Sequence, residues 1–183
     1  KHENNDLITN KNDILSTSKF WCAVSTHEGE ENFCLEVHSN LKLKQKNFIT
    51  IIIPRHVDRV KSIGDLCKKM NFKYRILSKN DKIENEDEVI IINSYGVVTN
   101  YLTLCKSVFM GKSIIRSLEP TGGQNPIEAA KLGCKIYHGP YVYNFHEIYK
   151  LLNEYKISEE IKDIKELSNK LNSDFDGSKN INE

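Results

Sequence analysis

Residues Phe48–Pro54 read FITIIIP, a seven-residue run that is apolar on both faces and rich in β-branched side chains. A strand with one wet face alternates apolar and polar residues, whereas a strand covered on both faces does not. Such a run belongs in the middle of a parallel sheet with helices packed above and below it. Residues 89–93 (VIIIN) have the same character. Around them, residues 30–43 place Phe33, Val37 and Leu41 at four-residue intervals, with Cys34 and Leu35 beside them, which predicts a helix. Further helices are expected over residues 57–70, 99–106, 125–132, 144–153 and 158–171. Strands are expected over 20–25, 73–77, 107–110 and 135–138. Strands alternating with helices predict an α/β, Rossmann-like fold: a parallel sheet with helices on both faces.

The chain has 183 residues, the size of one ordinary domain with its own core. Residues 1–19 are polar and rich in Asn, Lys and Ser, and are expected to be a linker or disordered lead-in. Residues 20–171 are the expected domain and 172–183 a disordered tail. Lys and Arg number 26 against 25 Asp and Glu, a net charge of +1, which argues against a nucleic-acid binder. The five cysteines are scattered without a CxxC pair, which suits reduced thiols and argues against a zinc site. No apolar run approaches the roughly 20 residues needed to span a bilayer. No GxGxxG follows the first strand and no GxxxxGK[ST] occurs, which disfavours a dinucleotide-binding dehydrogenase and a P-loop NTPase.

Ligands of parallel sheets bind beyond the carboxyl ends of the strands, so the loops that follow strands carry the functional reading. The first runs Ser25, Thr26, His27, Glu28, Gly29, Glu30, Glu31. Its hydroxyls, glycine and free N–H groups suit an anion; equally, Ser25 or Thr26 caps the next helix with acidic residues in its first turn. The second is Pro54-Arg55-His56, where a guanidinium at the sheet rim can bind a phosphate or a base carbonyl, unless Arg55 is an ordinary surface arginine. His56 reads as a capping or solvent-facing imidazole more readily than as an acid–base group. The third runs from Thr121 to Glu128 (TGGQNPIE). Its two glycines allow a tight turn and close approach to a ligand, Asn125 suits an N-cap and Pro126 the first helical position. Glu128 suits either ribose hydroxyls or a capping box with Asn125.

Four pieces taken together, STHEGEE (25–31), IIIPRH (51–56), GGQNPIEAAKLG (122–133) and HGPYVYNFHEI (138–148), resemble the C-terminal domain of bacterial Kdo transferases. They occur in family order and spacing, over residues 21–152. These enzymes move 3-deoxy-D-manno-octulosonic acid (Kdo) from CMP-Kdo to a lipid A precursor in lipopolysaccharide biosynthesis. The resemblance implies the C-terminal half of a GT-B glycosyltransferase, and contacts to CMP or CMP-Kdo from Pro54, Arg55, Tyr95, Gly96, Val97, Asn125, Pro126, Ile127 and Glu128. Ser25, Thr26, His27, Glu28 and Gly29 would line the same cleft. Val97 stands where the family commonly has an acidic residue, so only backbone contacts carry over at Tyr95–Gly96–Val97.

The resemblance further implies an inverting displacement without metal or other cofactor. The general base would belong to an N-terminal domain outside this chain, leaving no catalytic residue here. That domain would also hold the lipid acceptor and make the only membrane contact, at the cytoplasmic face of the inner membrane. CMP-Kdo carries one phosphate and one sugar carboxylate, a charge that one arginine and one helix N-terminus can meet without a divalent cation. The chain lacks an initial methionine and is expected to be an excised domain that binds CMP but transfers nothing alone. Two other readings stand beside this one. The first is the donor-binding domain of another GT-B enzyme, such as a UDP-sugar transferase or epimerase. The second is a non-catalytic interaction domain.

Overall fold

Every residue of Phe48–Pro54 is buried, as its composition requires. The computed structural model describes residues 13–79 and 81–177. Its strands are β1 (Lys19–Thr26), β2 (Phe48–Pro54), β3 (Tyr74–Leu77), β4 (Val89–Ile92), β5 (Ser107–Met110), β6 (Lys135–His138) and β7 (Ser158–Glu160). Its helices are α1 (Glu30–Lys42), α2 (Val60–Lys69), α3 (Val98–Leu102), α4 (Ile127–Lys131), α5 (His146–Glu154) and α6 (Ile164–Gly177). The strands form one sheet in the order β3-β4-β2-β1-β5-β6-β7, and every pairing is parallel.

Successive side chains of a strand point to opposite faces, and β1 divides accordingly. Trp21 and Ala23 join Ile52, Ile91 and Phe109 in one core layer, covered by α1, α2 and α6. Cys22 and Val24 join Ile51, Ile90 and Val108 in the other, covered by α3, α4 and α5. The expected α/β, Rossmann-like architecture is therefore present, with helices on both faces. Because all strands run the same way, the loops after β1, β2, β4, β5 and β6 emerge along one edge. The chain builds outward from β1 through β2 on one side and through β5 on the other. The crevice between the loops after β1 and β5 is thus the point where the strand order reverses.

Several expected boundaries are corrected. Residues 158–160 (SEE) do not start a helix; they add β7 to the outer side of β6. An edge strand needs no apolar face outward, so its composition hides it. The terminal helix α6 runs to Gly177, with Phe175 only 5% exposed against the core, so residues 172–177 are not a disordered tail. Residues 178–183 lie outside the described residues. At the other end, residues 13–17 are helical and Leu15 is 2% exposed in the core, while β1 begins at Lys19. The lead-in expected over 1–19 is thus part of the fold from residue 13, and residues 1–12 lie outside the described residues. The helices expected over 99–106 and 125–132 shorten to α3 and α4, of five residues each.

Candidate functional site

The loops carrying Arg55, Tyr95 and Glu128 meet at the carboxyl edge of the sheet. The backbone N–H of Arg55 donates to the Thr26 carbonyl at 3.0 Å, which ties the loop after β2 to the end of β1. Two residues on, the N–H of Val57 donates to the Tyr95 hydroxyl at 3.4 Å. Thr99, in the first turn of α3, donates its hydroxyl to Glu128 Oε1. Hydrogen bonds therefore tie the loop after β2 to the loop after β4, and the first turn of α3 to the first turn of α4. Arg55, Tyr95, Gly96 and Glu128 are exposed, and Arg55 has no ion pair among the described residues. Val97 leads into α3 and packs on the core. It also borders a cavity of about 320 Å³ lined by Leu15, Leu77, Ile92 and Tyr101.

Around α4 the structure departs from expectation. The helix starts at Ile127, with Pro126 just before it and Asn125 Oδ1 accepting from the Ile127 N–H at 3.0 Å. No capping box forms, because Glu128 reaches to Thr99 instead. The two glycines allow this loop to pack closely on the loop after β6. A Cβ on Gly122 would lie 2.3 Å from the Tyr141 carbonyl oxygen, and one on Gly123 3.0 Å from Val142 Cα. Gly123, at φ 96°, donates its N–H to the Lys112 carbonyl at 2.6 Å. Neighbouring Gln124 is held through its carbonyl by the Tyr149 hydroxyl at 2.8 Å. The loop is thus pinned on three sides before it reaches α4.

The acidic residues of the first loop turn inward. Neither Ser25 nor Thr26 caps α1; Gly29 stands at that position with φ 90° and no side chain caps the helix. Glu30 is fully buried, and its carboxylate accepts backbone N–H bonds from His27 (3.0 Å), Lys112 (2.6 Å), Ser113 (2.8 Å) and Ile114 (3.2 Å). The anion-binding nest at the switch crevice is filled by the protein's own carboxylate. Glu31, also fully buried, accepts the Thr26 hydroxyl at 3.1 Å and a paired bond from Arg59 at 3.0 and 3.3 Å. Glu28 lies 3.7 Å from the same guanidinium. Glu30, Arg59 and Thr99 escape a sequence reading because their partners come from distant loops. The acidic cluster in the first turn was the only visible sign of Glu30.

His27 accompanies these acids but faces a different environment. Its Nδ1 sits 3.0 Å from the Ser25 carbonyl, and its ring stands edge-on to His56 at 5.9 Å. Partial burial lowers its pKa, the Ser25 bond opposes this, and Lys112 and His56 push it lower still. Among the described residues no group of three or more His, Cys, Asp or Glu is placed to hold a metal ion. None of the described helices is long and apolar enough to cross a membrane.

No family model matches the chain. It is 31% identical over 155 residues to a 3-deoxy-D-manno-octulosonic acid transferase of Haemophilus influenzae, covering 82% of this chain and 35% of that protein. A transferase of the same name from Rickettsia felis is 32% identical over 147 residues, covering 80% of this chain and 31% of that protein. The chain is similar to the Kdo transferases. It spans about a third of the length of the Kdo transferases it matches. Its fold is shared with the C-terminal CMP-Kdo binding domain of WaaA from Acinetobacter baumannii, at a TM-score of 0.83 and 19% identity. That likeness covers 97% of this chain and 91% of the other. The sequence motifs and the sheet thus point to the same relatives.

Proposed function

We propose that this chain binds CMP-Kdo at the carboxyl edge of its sheet, as the donor-binding part of an inverting Kdo transferase. The observation that carries the reading is the pair of hydrogen bonds that join the loops of Arg55 and Tyr95 and the first turns of α3 and α4, Val57 N–H to the Tyr95 hydroxyl and Thr99 to Glu128. The reading is also supported by an exposed guanidinium and an exposed carboxylate in loops at the carboxyl edge of the sheet, and by sequence relatives named for Kdo transfer. Arg55 meets the CMP phosphate, and Tyr95, Gly96 and Val97 offer an exposed turn to the nucleoside. Asn125, Pro126 and Ile127 present the start of α4, while Glu128 keeps one oxygen on Thr99 and turns the other to a ribose hydroxyl.

In the reaction of the whole enzyme, an acceptor hydroxyl attacks the anomeric carbon of Kdo as the bond to the CMP phosphate breaks. The hydroxyl proton passes to a base outside this chain, and the configuration inverts. Negative charge grows on the departing phosphate, so donors already aimed there bind the transition state more tightly than the ground state. The acceptor is a lipid A precursor, held with the membrane contact by a domain outside this chain at the cytoplasmic face of the bacterial inner membrane. Donor binding requires neither metal nor other cofactor.

Isothermal titration tests the reading. CMP binds, and Arg55→Ala and Glu128→Ala each weaken it by about tenfold, the worth of one charge-assisted hydrogen bond. Both side chains are exposed, so the unfolding midpoint moves little. Stronger binding of UMP than CMP would instead assign the domain to a UDP-sugar enzyme. No binding of either at millimolar concentration would leave an interaction domain.

A further inference from the structure

The crevice where the strand order reverses has a second feature, separate from the loops of Arg55 and Glu128. The ends of β1 and β5 touch there: a Cβ on Gly111 would lie 2.5 Å from the Ser25 carbonyl oxygen. On either side of the contact stands a non-glycine residue in the left-handed region, Ser25 at φ 57° and Lys112 at φ 58°. Ser25 is also the extra residue of a bulge, since the pairing of β1 with β2 shifts register between Val24 and Thr26. Bulges and left-handed residues of this kind re-aim side chains at strand ends and gather at functional sites. Here one Glu30 oxygen accepts from the backbone N–H groups of both His27 and Lys112, which fixes the two residues on either side of the contact.

The charges around this contact are sorted by depth. Glu30 is buried on backbone N–H groups, and Glu31 and Glu28 are engaged by Arg59. The basic side chains face outward: His27 and Lys112 are half-buried, and Arg55 and His56 are exposed. Lys112, Arg55 and His56 have no ion pair among the described residues. The His27 and His56 rings stand 5.9 Å apart, and the N–H groups of His27 and Lys112 share one Glu30 oxygen, which groups the three bases at this crevice. Lys112 and Arg55 bring positive charge to this rim without an ion pair among the described residues, and the His27 and His56 rings stand beside them as hydrogen-bonding groups. An anion between them would pair with that charge.

We infer that Lys112, His27 and His56 form a second anion subsite beside Arg55, which takes the carboxylate of the donor's sugar while Arg55 takes the phosphate. The inference rests on the proposed binding of CMP-Kdo and adds which residues read the acidic sugar. It follows that nucleotide and sugar are recognised by separate groups. A neutral sugar on the same nucleotide would leave the bases unpaired, and the domain would discriminate against it.

Titration of CMP and CMP-Kdo into the unsubstituted protein and Lys112→Gly separates the two subsites. Glycine accepts φ 58° without strain and keeps the Lys112 backbone bonds to Glu30 and Gly123, so the fold is retained. Lys112→Gly is expected to weaken CMP-Kdo about tenfold and leave CMP within about twofold, since only the sugar carboxylate has lost a charged partner. His56→Gln is expected to act in the same direction. Equal weakening of both ligands by Lys112→Gly, or no weakening of CMP-Kdo by either variant, overturns the subsite while the parent reading stands. Failure of the unsubstituted protein to bind CMP overturns the parent reading and this one together.

Discussion

Replacing Glu30 by alanine removes one carboxylate and strands four backbone N–H groups. These belong to His27 in the loop after β1 and to Lys112, Ser113 and Ile114 in the loop after β5, at 2.6–3.2 Å. A buried donor left without an acceptor costs about 1–3 kcal/mol, and bonds to a charged acceptor lie at the upper end. Water can enter the vacated crevice and satisfy part of the set, so the full sum is not reached. The expected loss is about 3–6 kcal/mol, a large share of the roughly 5–15 kcal/mol that holds a domain folded. Glu30→Gln keeps one carbonyl oxygen but turns an NH2 toward the same donors, and should lose about 2–4 kcal/mol. Urea unfolding reads both variants, with the single tryptophan, fully buried Trp21, as a fluorescent reporter. A midpoint shift worth less than about 1 kcal/mol at unchanged slope would show that the crevice does not depend on this carboxylate.

Two further outcomes follow from the packing. His38 is buried between the rings of Phe48 and Phe72, bonded through Nδ1 to the Thr50 hydroxyl at 2.8 Å, and burial lowers its pKa from 6.5 to about 4. Above pH 6.5 both folded and unfolded chains hold it neutral; below that the unfolded chain takes the proton first. Stability should therefore fall by about 3 kcal/mol between pH 6.5 and 4 on its account. Urea midpoints across that range should be less pH-dependent in His38→Gln, and equal slopes in the two proteins would refute the assignment. Phe175→Ala should cost about 3 kcal/mol, because the ring is 5% exposed and lies 5.8 Å from that of Phe48. A loss under about 1 kcal/mol would mean that the end of α6 adds nothing to the core.

What the sequence revealed of the fold, and what it hid, follow from one rule. Phe48–Pro54 and Val89–Ile92 were legible because burial on both faces leaves a composition that only a central strand has. Ser158–Glu160 was not, since an edge strand is specified by its neighbour's backbone rather than by its own side chains. The tail of α6 hid for a related reason. Polar residues surround Phe175, and one apolar side chain per turn reveals a helix only when the surface it covers is known. Helix starts failed in a third way. Thr26, Asn125 and Glu128 are all good capping residues, yet Thr26 bonds Glu31 and Glu128 bonds Thr99, while only Asn125 bonds into the helix it precedes. Local propensity names the competitors for an N–H group, and tertiary structure decides among them.

The charges of the cleft are the instructive failure. Glu30 and Glu31 read as acids in the first turn of a capped helix, because composition assigns a charge to a loop without saying which way it points. A carboxylate that accepts four N–H groups has its charge offset by the backbone dipoles, so on the proposed function it organises the anion site rather than opposing it. The same carboxylate binds the N–H of both His27 and Lys112 and so ties the loop after β1 to the loop after β5. Arg59 does the equivalent for Glu31, while Arg55, four residues earlier, is exposed and without an ion pair among the described residues. Two arginines so close in the chain thus differ in burial and pairing, a distinction that no spacing in the sequence encodes, and on the proposed function it is the exposed one that meets the ligand.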